Sequence, residues 1–276
     1  MPAPATPKIP SAPAADDKWL AWIFWLSTFL LATAFLSALV AVGVKSDSNW
    51  TEALLLLIAT VSTLATLTRQ LPSQNVFLAT FIIALIGGVA HTVGVKSGIP
   101  FGPFMFGPEI GQKIFNTLPW AMPLLWVVAV LNSRGVARLV LRPWRKIRTY
   151  GFWLIGLTAL FTMLFDCALE PFSAHAKHYW IWTAAGYSLT PNGAPISNSV
   201  GWFIVTVLML AFATPVLINK QLSKRSVPDF HPLAVWLGGI LLFAVAAELN
   251  GLWAATAADA AIGIVTAIFA VRGGRW

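Results

Sequence analysis

Long apolar runs, broken by short charged or Pro/Gly-rich segments, set the rhythm of this chain. Eight runs, about Trp19–Val44, Thr51–Thr68, Val76–Val95, Leu118–Leu131, Gly151–Glu170, Gly201–Ile218, Leu233–Leu249 and Leu252–Val271, carry few or no charges. Apolar runs of roughly 18 to 25 residues have the length an α-helix needs to cross a bilayer, so each predicts a span. The fourth is the shortest, and without it the count falls to seven. Pro119 and Pro123 open it, which a first turn tolerates because its amides lack intrahelical partners. The pattern predicts an all-α fold, a polytopic integral membrane helical bundle with one transmembrane domain over 19–276. Residues 1–18 are Pro/Ala-rich and read as a disordered tail. They lack the basic stretch and cleavage site of a secretory signal, so the first run reads as an uncleaved span.

Two segments between the runs break the pattern. "GIPFGPFMFGPE" (Gly98–Glu109) holds three Gly, three Pro and three Phe and ends on a carboxylate. Pro removes a backbone donor and Gly costs about 1 kcal/mol in a helix interior, so a span would reject it. It is too oily for a solvent loop. Pro171–Ser199, "PFSAHAKHYWIWTAAGYSLTPNGAPISNS", is a second aromatic, non-helical segment.

Composition removes the soluble classes. The chain is 58% hydrophobic and 10% charged, with a mean hydropathy of +0.75. Its net charge of +8 does not point to nucleic acid, because the basic residues cluster between apolar runs. With the N-terminus inside, 14 basic residues fall on inner segments, including the cluster "RGVARLVLRPWRKIR". Only Lys45, Lys96, Lys113 and Lys177 fall outside. That asymmetry follows the positive-inside rule and predicts that both termini are cytoplasmic, in a multi-pass protein of the cell (inner/plasma) membrane. Trp19, Trp50, Trp120, Trp144, Trp202 and Trp253 fall near predicted helix ends, where indoles favour the interface. Cys167 is the single cysteine, so an intrachain disulfide is excluded.

On this topology the two aromatic segments share the outer face, and the acids converge there. His91 lies in the outer part of span three, Glu109 in the first loop, and Asp166 and Glu170 at the end of span five. Glu248 ends span seven, and Asp259 sits about two turns into span eight. Asp166 and Glu170 are four apart and share a helical face, where two carboxylates in a poorly hydrated site cannot both ionise cheaply. An intramembrane charge costs roughly 2.5–3.5 kcal/mol on insertion scales, so such residues need a reason to be there. Glu170 and Glu248 could equally be solvated at the interface, the better reading for Asp47 and Glu52. No P-loop and no dinucleotide-binding glycine pattern occurs. "HAKH" (His175, His178) has a spacing that could meet a metal, but four histidines are too few for di-iron chemistry. No cofactor and no metal is expected.

"GVKSGIPFGPFMFGPEIGQKIFNTLPWAMPLLW" (Gly94–Trp126) and "DCALEPFSAHAKHYWIWTAAGYSLTPNGAPISNSVGW" (Asp166–Trp202) resemble the two signature blocks of the carotenoid-biosynthesis membrane proteins. That family of bacteria and archaea includes carotenoid 1′,2′-hydratases and bisanhydrobacterioruberin hydratases. The matching positions are Gly98, Pro100, Phe101, Gly102, Pro119, Pro123, Trp126, Asp166, Glu170, Pro171, Trp180, Trp182, Gly186, Pro195, Asn198, Gly201 and Trp202. The chain departs where the pattern has an acid and this sequence has His91. Ser97, Phe104 and Phe106 likewise replace Thr, Tyr and Tyr.

The resemblance implies acid-catalysed hydration of the C1′,2′ double bond of an acyclic carotenoid end group, of the lycopene, γ-carotene or bacterioruberin-precursor type. Protonating a trisubstituted alkene needs a carboxylic acid as general acid. The tertiary cation that forms is stabilised by aromatic faces, each worth about 0.5–2 kcal/mol. Asp166 or Glu170 would be the acid, with Glu109 and Asp259 next in line, and His91 or Asn198 would orient water. Phe101, Phe104, Phe106, Trp126, Trp180, Trp182 and Trp202 would wall the substrate, although plain packing serves each ring as well. Partners are a carotenoid or isoprenoid lipid and membrane lipids. The rival function is a non-catalytic carotenoid or lipid carrier, or a transporter, using the same outer cavity.

Overall fold

The computed structural model describes residues 15–45, 50–183, 190, 193–218 and 228–276. Most of the tail, Asp47, Gly186 and the basic residues Lys220, Lys224 and Arg225 lie outside them. Eight helices among the described residues are long and apolar enough to cross a membrane. They are α1 (Ala15–Gly43), α2 (Trp50–Thr68), α3 (Ser73–Ser97), α4 (Ala121–Val140), α5 (Tyr150–Pro171), α6 (Ile196–Ala213), α7 (His231–Leu249) and α8 (Trp253–Gly274). Because α1 begins at Ala15, the last residues of the expected tail are helical.

Contacts between distant elements fix an alternating up-and-down bundle. Ser62 of α2 meets His231 at the start of α7, and Gln70 bonds Asp229 just before it, so these ends lie together. The far end of α8 joins them, with Gly273 packed on the Leu139 carbonyl near the end of α4. At the opposite end, Lys177 after α5 pairs with Glu52 in the first turn of α2 at 2.7 Å. That second end also gathers the two aromatic segments. The first forms strand β1 (Phe104–Phe106), and two shorter strands follow, β2 (Lys113–Ile114) and β3 (Leu118–Pro119), paired with each other. The second segment continues α5 through a π-helical turn, Phe172–Ala176, into β4 (Trp180–Trp182). β4 pairs antiparallel with β1, Phe104 opposite Trp182 and Phe106 opposite Trp180.

The fourth span differs from its expected bounds. Leu118 and Pro119 belong to β3, and the helix instead runs nine residues past Leu131, to Val140. Asn132, Ser133, Arg134 and Arg138 look like the end of a span if lipid surrounds them. α4 is the central helix, though, and those first three are buried in protein. Asn132 donates to Thr63 at 2.9 Å, and the Arg134 guanidinium donates to the Leu217 carbonyl at 3.0 Å. Trp202 also departs from expectation: it lies inside the bundle at 1% exposure, whereas Trp19, Trp50, Trp144 and Trp253 are exposed.

Candidate active site

Phe101 anchors the aromatic end because two glycines make room for it. A Cβ on Gly94 of α3 would lie 2.9 Å from one edge of its ring, and a Cβ on Gly201 of α6 would lie 2.9 Å from another. Gly102 follows at φ +101°, a left-handed conformation that favours glycine, and packs against Pro195 and Ser197. The Phe101 carbonyl accepts from the Ser197 hydroxyl at 3.1 Å. The Gly/Pro-rich segment is therefore clamped between α3 and α6, and β1 is delivered to β4 across a cavity.

That cavity, about 10 Å³ and so no roomier than about one water needs, is lined by His91, Phe101, Phe104, Phe106, Asp166, Trp180, Trp182, Asn198 and Trp202. Nine residues that the sequence singles out are thus brought together from α3, α5, α6, the two strands and the segment before β1. Trp126 backs them, its ring stacked on Trp202 with centroids 3.8 Å apart.

The two acids have different surroundings. Asn198 donates to Asp166 Oδ2 at 2.8 Å, leaving Asp166 Oδ1 buried and without a protein partner. Glu170 Oε1 accepts from the indole N–H groups of Trp180 at 3.0 Å and Trp182 at 2.5 Å, leaving Oε2 unpartnered. Amide and indole N–H groups are donors only, so a proton carried by either acid sits on its other oxygen. Asp166 lines the cavity, while Glu170 stands behind the two indoles it orients. His91 is the third polar group. Its imidazole packs 4.6 Å from Phe101 and near Phe104, Phe106, Trp126 and Trp202, and neither ring nitrogen has a partner among the described residues.

Two expected acids stand apart from this cavity. Glu109 is exposed in the short turn Pro108–Ile110. Asp259 is buried in α8, with its Oδ2 unpartnered, but it does not line the cavity.

A larger apolar groove was not legible from the runs. It has a volume of about 360 Å³ between α1, α2, α4, α5 and α7, and Trp180 lines both it and the acid cavity. Its polar groups sit at its ends, with Glu52, Ser173 and Tyr179 at the aromatic end and His231 at the other. Burial, reinforced by the nearby Glu52 and Glu109 carboxylates, pushes the Tyr179 phenol up, so it stays neutral.

A family model described as carotenoid biosynthesis protein matches residues 51–269, which include every residue of both cavities except those of α1. The chain belongs to the carotenoid biosynthesis protein family. Within that family it is similar to bisanhydrobacterioruberin hydratase of Haloarcula japonica, at 30% identity over 138 residues. The match covers 49% of this chain and 44% of the relative, so it spans less than half the relative's length. No solved structure matches the chain. Membership and the distant hydratase relative support an enzyme of carotenoid biosynthesis in a multi-pass membrane setting.

Proposed function

We propose that the protein is a carotenoid hydratase, a hydro-lyase that adds water across the C1′,2′ double bond of an acyclic carotenoid end group. The observation that carries this is the pairing of an unpartnered, buried Asp166 oxygen with an unpartnered His91 in one aromatic cavity. A buried polar atom without a partner costs about 1–3 kcal/mol, so the cavity suits a molecule that supplies the polar partners the described residues do not.

Asp166 Oδ1 gives its proton to C2′, and the alkene electron pair forms the new C–H bond. The tertiary cation left at C1′ lies against the faces of Phe101, Trp180, Trp182 and Trp202. Water held by His91 attacks C1′, and its surplus proton passes to His91 and back to Asp166. The net change is one added water, with no oxidation. Asn198 holds Asp166 in place, and Glu170 fixes the two indoles. On the orientation set by the basic residues, this chemistry takes place near the outer face.

The carrier reading draws support from the apolar groove, but it leaves the orphaned atoms of His91 and Asp166 unexplained. Labelled water decides between them. Purified protein given lycopene in H₂¹⁸O should yield an alcohol one water heavier than the substrate, with the label in its hydroxyl, in the absence of oxygen. Label drawn from molecular oxygen, or no product from several acyclic carotenoids, would overturn hydration.

A further inference from the structure

The acid cavity, at about 10 Å³, has no room for a long chain. We infer that the groove between α1, α2, α4, α5 and α7 is a separate binding site for the unreacting length of a linear, conjugated isoprenoid, with Trp180 as the joint between the two compartments. The inference deepens the hydration reading and takes the identity of the reacting end from it.

Three observations carry it. His231 and Phe243 both line the groove from α7, and at about 1.5 Å per residue it therefore runs roughly 18 Å along the bundle. Its walls are apolar along that length, with polar side chains confined almost wholly to the two ends. Trp180 lines both it and the acid cavity, and its indole donates to Glu170, so a chain lying in the groove is separated from the carboxylates by that one side chain. A rigid, extended polyene suits such a groove better than a saturated acyl chain, because it surrenders little conformational freedom on binding. Glycine keeps the middle open: Gly238 faces Phe35, and a Cβ there would sit 3.7 Å from that ring. The backbone thus tolerates a side chain at Gly238, but a large one would occupy the groove.

Lycopene is achiral, so circular dichroism in its visible band arises only when a protein holds it. The full-length protein in detergent, titrated with lycopene, should give that signal. Asp166→Asn should give the same signal without product. Gly238→Trp, and Leu56→Trp from the opposite wall, should each weaken lycopene binding at least tenfold, while Phe152→Trp, exposed outside the groove, leaves it unchanged. Wild-type binding by both tryptophan variants would overturn the groove site, as would a wild-type signal abolished by phosphatidylglycerol at equal concentration, which would mark an acyl-lipid groove. A normal signal lost in both variants, with no hydration of any carotenoid, would sink the hydratase reading and leave the groove site standing.

Discussion

Asp166 and Glu170 share a helical face, yet their neighbours give them separate tasks. Asp166 presents a bare oxygen to the cavity, whereas Glu170 is engaged by two indoles. Asp166→Asn should lower turnover about 10²-fold or more, the range of a lost general acid. Glu170→Gln keeps an oxygen able to accept from the indoles and should cost less. Turnover assays at matched membrane levels check the order, and equal full activity in both variants would move the acid elsewhere. The glycines flanking Phe101 make a second prediction at this scale. Gly94→Ala or Gly201→Ala forces a methyl into ring contact distance and should destabilise the fold by about 1–3 kcal/mol, read as a lowered melting temperature in detergent. These residues were visible in the sequence as a pattern of types. The contact of Phe101 with Gly201 was not, because it joins positions 100 residues apart.

Among elements, the β1–β4 ribbon is the piece that periodicity could not reveal. Three-residue strands are too short for an alternating signal, and the residues between the rings, Met105 and Ile181, are apolar too. Their pairing nonetheless sets which rings face the cavity. Backbone bonds from Gly107 to Tyr179 and from Thr183 to Pro103 flank the ribbon, so alternation makes Met105 and Ile181 a hydrogen-bonded pair. Met105→Pro removes that donor and should abolish turnover while far-ultraviolet circular dichroism keeps the helical signal. A wild-type rate would show that the ribbon does not position the site. α4 was misread for a different reason. Its polar residues are covered by protein rather than lipid, and span recognition by hydropathy has no means of knowing which helix will stand in the middle.

At the scale of the molecule, span number and order were legible because hydrophobic run length is a property of the bilayer rather than of tertiary contacts. The separation between basic and aromatic ends gives a topology prediction. In a Cys167→Ala background, Phe115→Cys, 95% exposed at the aromatic end, should react with an impermeant maleimide on intact cells. Lys146→Cys, exposed near the basic end, should react only after lysis, and the reverse pattern would place the acids on the cytoplasmic side. The burial of Asn132, Ser133 and Arg134 also bears on how the bundle is made. An arginine deep in a lone helix costs roughly 2.5–3.5 kcal/mol, and α4 already has a lower mean hydropathy, 1.3, than any other span among the described residues. The insertion machinery would therefore meet in α4 a segment with little reason of its own to leave the aqueous channel. Its partners decide the matter: α2 supplies Thr63, and the chain just after α6 supplies the Leu217 carbonyl, which is synthesised 83 positions after Arg134. α4 must wait, half-committed, until later helices arrive to claim it.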